Sequence, residues 1–129
     1  MNRYFQEVLD AHLLISRWLG EASAPQDVCE TLLGRFSPAF TMVGLSGNRL
    51  DNAGLSAFFR TQGGAKAGLE IGIENMQLVA ESATGAIVTY HERQQLPGQS
   101  ATLRYSTVVY ELGEGGRVMW RHLHETAAA

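Results

Sequence analysis

The chain has 129 residues, of which 45% are hydrophobic and 18% charged, so it is long enough to bury one core and too evenly mixed to be fibrous or disordered. Its formal net charge of -3 and its single lysine, Lys66, exclude the concentrated basic face that nucleic-acid binding requires. One cysteine, Cys29, leaves no disulfide framework, and no apolar run is long enough to span a bilayer. The N-terminal residues lack an apolar signal core. The expectation is one domain over residues 1–129, cytoplasmic, with neither nucleic acid nor membrane as a partner.

In chain order, the period-3.6 stripe of Tyr4, Val8, Ala11, Ile15, Trp18 and Leu19 predicts a first helix over residues 3–19, with His12 on its apolar side. Ser23-Ala24-Pro25 breaks it, and Pro25 opens a second helix over 26–33, where Val28, Cys29, Leu32 and Leu33 have core spacing. A short strand at Phe40–Val43 and a turn at Ser46-Gly47-Asn48 follow. Asp51 or Asn52 then caps a third helix whose buried side is Leu55, Phe58 and Phe59, ended by Gly63-Gly64. From Leu69 the period becomes two. Strands over 69–80, 86–96, 101–112 and 117–126, joined by Thr84-Gly85, Pro97-Gly98 and Gly113 to Gly116, read as an antiparallel meander.

Three helices, a small hairpin and long meandering strands form an order that resembles the nuclear transport factor 2-like superfamily. The local likeness lies in Met42-Val43-Gly44-Leu45-Ser46-Gly47-Asn48-Arg49-Leu50, in Ala57-Phe58-Phe59 and in the closing Trp120-Arg121-His122-Leu123-His124-Glu125-Thr126. The last segment is similar to the His-x-His-x-Ser/Thr strand end of the calmodulin-dependent kinase II association domain and its bacterial relatives. The resemblance implies an α+β fold, cystatin-like: a cone-shaped, curved antiparallel sheet wrapped over N-terminal helices, with a cavity at the wide mouth. Steroid isomerases and SnoaL-like polyketide cyclases share that fold, so it does not choose among enzyme, binding module and assembly domain.

Strict alternation predicts which side chains look into such a cavity. On the last strand it puts Trp120, His122 and His124 inward; on the two before it, Arg104 and Ser106, and Tyr90 and Glu92. Together with His12 these are the candidate ligand-binding residues, with Glu92 and His124 as the acid-base pair. Arg104 offers a planar fork for a carboxylate or enolate oxygen. The bland alternative is a Glu92–Arg104 pair across adjacent strands, with structurally satisfied histidines. His122-x-His124 with Glu92 also has the form of a His-His-carboxylate metal site, but no third histidine or second shell supports it, and neither metal nor cofactor is expected.

The last three strands hold no Asp, and their acids are Glu92, Glu111 and Glu125. The reading is therefore a small-molecule-binding domain for an organic acid or carbonyl compound. An isomerase, dehydratase or cyclase and an assembly domain with a vestigial cavity stand as alternatives. The opposite sheet face, with Ile87, Leu103, Tyr105, Val109, Met119 and Leu123, is apolar enough to predict a homodimer packed through it.

Overall fold

The computed structural model describes residues 1–128. α1 spans Arg3–Gly20, and its start is set by Asn2, whose Oδ1 accepts from the Tyr4 and Phe5 backbone N–H groups at 2.7 and 3.3 Å. α2 (Gln26–Leu33) opens directly after Pro25 and buries Val28, Cys29 and Leu32 against α1. α3 (Asn52–Thr61) is capped by Asp51, whose Oδ1 accepts from Gly54 N at 2.8 Å. No helix of the described residues is long and apolar enough to cross a membrane.

Six strands form one sheet: β1 (Phe36–Val43), β2 (Arg49–Asp51), β3 (Glu70–Ser82), β4 (Gly85–Gln95), β5 (Thr102–Leu112) and β6 (Val118–Ala127), in the order β2-β1-β6-β5-β4-β3. Four long strands were legible from alternation. β2 is only three residues long, and β1 begins at Phe36 rather than Phe40, so neither carries a clean period. Every neighbouring pair is antiparallel except β1 and β6, which run parallel. The chain returns to pair its last strand with its first, and the sheet covers the helices on one face. Two glycines make the turns possible. Gly98 sits at φ 73°, in the left-handed region, and a side chain on Gly85 would collide with the Tyr110 carbonyl.

The core lies between α1, α2, α3 and the concave sheet face: Tyr4, Val8, Ala11, Leu32, Phe40, Val88, Tyr90, Val108, Tyr110 and Trp120 are almost wholly buried. Along β4 and β5 alternation holds, and Val88, Tyr90 and Glu92 lie opposite Val108, Ser106 and Arg104 on the inner face. Along β6 it breaks. Tyr110 pairs with Trp120, but Val109 pairs with His122, leaving Arg121 as an extra residue. Beyond it the sides exchange: Leu123 opposes Val108, and Glu125 opposes Ser106.

Candidate functional site

The concave face is not completely filled. A cavity of about 350 Å³ opens between α1, α3 and the sheet. Ile15 and Leu19 reach it from α1, Leu55, Phe58 and Phe59 from α3, Phe36, Phe40 and Met42 from β1, and Trp120 and Leu123 from β6. These walls are apolar because the same stripes that pack the core continue past its edge. Trp120 is held by its own indole N–H, which donates to Glu7 Oε2 at 3.0 Å, while Glu7 Oε1 accepts from Arg35 Nη1 at 2.6 Å.

The opposite wall is polar: His12, Glu92, Gln94, Arg104 and Glu125, with Lys66 also contributing. His12 Nδ1 lies 2.7 Å from the Val8 carbonyl oxygen, which can only accept, so Nδ1 carries a proton. Its Nε2 lies 3.1 Å from Glu92 Oε1. With Glu92 ionised, Nε2 is a donor too, and the pair is imidazolium and carboxylate. Burial pulls the His12 pKa down, but the hydrogen bond to Glu92 and its charge outweigh that, and the net shift is upward. Burial likewise pushes Glu92 up, yet His12, the Gln94 amide at 2.6 Å from Oε2, and Arg104 together bring its carboxyl down to about 2. Both carboxylate oxygens of Glu92 are therefore engaged inside the wall.

Arg104 pairs with Glu125, not Glu92: Nη1 donates to Glu125 Oε2 at 3.4 Å. Burial raises the Glu125 pKa, with the charge of Glu92 adding to it against the opposing pull of Arg104. Two carboxyl groups of one cavity are thus driven in opposite directions. Behind them, Tyr90 and Ser106 face each other across β4 and β5; both hydroxyls are buried and, among the described residues, neither makes a well-formed hydrogen bond. Burial keeps the Tyr90 phenol neutral by raising its pKa well above the ordinary value.

Of the residues expected from sequence, His12, Glu92, Arg104 and Trp120 line the cavity, and Tyr90 and Ser106 lie beneath its polar wall. The inward placement of His122 and His124 is corrected. The extra residue Arg121 turns both to the convex face, where they border an open groove with Thr41, Val43, Arg49 and Asp51. There Thr41 Oγ1 and His122 Nδ1 hydrogen-bond at 2.8 Å. His124 is exposed, too far around the strand to join Glu92 in acid-base work. Leu123, expected outside, lines the cavity instead, and Glu125 takes the inward position that alternation assigns to His124. The signal for this was present in the spacing Val118, Trp120, Leu123: two, then three, which a strand accommodates only by a bulge. Among the described residues, no three His, Cys, Asp or Glu side chains are gathered as a metal site.

No protein-family model matches the chain, and no curated protein matches it. Solved structures do. An NTF2-like protein of unknown function from Pseudomonas aeruginosa is 36% identical, with 98% of each chain covered and a TM-score of 0.91. An NTF2-like protein from Cytophaga hutchinsonii is 14% identical over 99% of this chain and 100% of that one, with a TM-score of 0.71. The association domain of C. elegans CaMKII is 17% identical over 96% and 95%, with a TM-score of 0.72. The last two share the fold.

Proposed function

This chain belongs to the nuclear transport factor 2-like family, and within that fold we propose that it is a small-molecule-binding domain for a partly apolar carbonyl compound or organic acid. The observation that carries the reading is the division of one cavity into an apolar end of phenylalanines and leucines and a polar end built from buried, mutually paired charges. The apolar end takes a ring or short chain; the guanidinium of Arg104, engaged by Glu125 through one nitrogen, keeps N–H groups for an oxygen. A thermal-shift screen of small aromatic and alicyclic ketones, amides and acids tests it. Ligands that raise the wild-type Tm should lose that effect in Arg104→Gln. A screen in which no compound stabilises the wild type, or in which both proteins respond equally, refutes the reading.

A second reading, acid-base catalysis on an enolisable carbonyl, draws support from the opposed shifts of Glu92 and Glu125, since such pairs mark groups with separate protonation tasks. In it Glu125 is the proton carrier, because both Glu92 oxygens are occupied. Incorporation of deuterium from solvent into a bound cyclic ketone, lost in Glu125→Gln, is the expected sign; no incorporation in the wild type rules it out. For assembly, the outer sheet face supports the proposal of a homodimer. It presents Ile87, Val109 and Tyr105, the last 47% exposed.

A further inference from the structure

We propose that the polar end of the cavity selects a neutral carboxamide-type head group, one that presents an N–H beside a C=O, over the corresponding carboxylate. The inference rests on the binding reading above and names the ligand class of that same site. It follows from what remains open once internal pairs are subtracted. Glu92 is closed, one oxygen to His12 and the other to Gln94. His12 is closed, one nitrogen to Val8 and the other to Glu92. Glu125 and Arg104 are joined only through Oε2 and Nη1, so among the described residues Glu125 Oε1 has no hydrogen-bond donor and Arg104 makes no other side-chain hydrogen bond. An acceptor and a set of donors thus stand side by side on the cavity wall. A carboxamide satisfies both at once, its N–H donating to Glu125 and its C=O accepting from Arg104.

Charge points the same way. The imidazolium of His12 and the guanidinium of Arg104 offset the carboxylates of Glu92 and Glu125, and the buried wall is neutral as it stands. A second carboxylate beside Glu125 is a like-charge pair in a poorly solvated place, and it enters only with a proton shared between the two carboxyl groups. The burial that already raises the Glu125 pKa makes Glu125 the site of that proton. Tyr90, the other titratable group behind the wall, stays neutral and contributes no charge. The remaining cation, Lys66, is half-buried and, like Gln94 and Arg104, lines both this cavity and the groove beside Gln99 and Ser100. It makes no ion pair among the described residues, and its partly solvated side chain leaves the buried pairs to set the charge of the inner wall.

The test measures matched pairs by calorimetry: phenylacetamide with phenylacetate, and indoleacetamide with indoleacetate. At about pH 7.5 each amide should bind roughly tenfold or more tightly than its acid, the scale of an unpaired charge at a buried site. In buffers of different ionisation enthalpy, acid binding should take up about one proton and weaken as pH rises, whereas amide binding should take up none. Glu125→Gln should erase the preference by improving the acids. The proton count needs no variant, so it decides the matter even if Glu125→Gln folds poorly. Acids that bind better than amides without proton uptake overturn the inference and leave the binding reading standing. So does an acid preference abolished in Lys66→Gln, which places the anion on Lys66 rather than beside Glu125. Silence from every pair sinks both.

Discussion

His12 and Glu92 are about 5% and 3% exposed, and each is tolerable there only because of the other. His12→Ala leaves a buried carboxylate with no hydrogen-bond partner but Gln94 and only the more distant charge of Arg104, and should cost about 3–5 kcal/mol in urea unfolding. The pair also makes stability depend on pH in two windows. The Glu92 pKa falls on folding, from 4.5 to about 2, so its contribution is present above pH 4.5 and lost as pH falls towards 2. The His12 pKa rises on folding, so its contribution is full below its ordinary 6.5 and fades as pH climbs through the higher folded value. A His12→Gln/Glu92→Gln double variant should flatten both windows in unfolding curves measured across pH; a profile parallel to the wild type speaks against the pair. Tyr90→Phe makes a contrast at the same scale. Its hydroxyl is buried without a well-formed partner, so its removal should change stability by less than about 1 kcal/mol.

Among the elements, β6 decides what the cavity contains. One inserted residue, Arg121, separates a strand that would show two histidines to the cavity from one that shows Leu123 and Glu125. The Arg121 side chain itself does little more than donate from Nη1 to the Ala39 carbonyl at 2.7 Å. Arg121→Ala should therefore cost about 1 kcal/mol, as the loss of one hydrogen bond does. Deleting the residue is a different perturbation: it drives His122 and His124 inward and moves Leu123 out of the apolar wall. Urea midpoints should separate the two variants widely, and equal midpoints refute the bulge as the determinant of facing. Strand alternation was the right rule for β4 and β5, where Tyr90, Glu92, Arg104 and Ser106 were all placed correctly from sequence. It failed on β6 because period two carries no memory across an unpaired residue.

For the whole molecule, the convex face is the surface that the helices leave uncovered. It is less apolar than alternation implied, since Leu123 is inside and His122 and His124 stand out among Thr89, Thr107 and Thr41. Tyr105 packs its ring on His91, with centroids 4.4 Å apart, and Ile87 and Val109 pair on the same face beyond the intervening Thr89–Thr107 pair. A dimer closed on this face should appear as twice the 14.1 kDa chain mass in light scattering at micromolar concentration. Val109→Glu, which places a charge on the face without touching the cavity, should give the monomer. A wild type that is already monomeric removes the proposal.

What the sequence determined by itself was the set of local decisions: where each helix begins, because Asn2, Pro25 and Asp51 act within a few residues; and where β4 turns towards β5, because Gly98 takes the left-handed backbone that the turn requires. It also determined that a polar cluster would face inward along β4 and β5. Tertiary structure alone decided the partners within that cluster. His12 is 80 positions from Glu92, and only the packing of α1 onto the sheet brings the two together. Arg104 had two carboxylates within reach of its strand, and the bulge on β6 gave it Glu125 while His12 took Glu92. Local rules set which way a side chain points from its own backbone; which opposite charge it meets depends on register and packing between segments far apart in the chain.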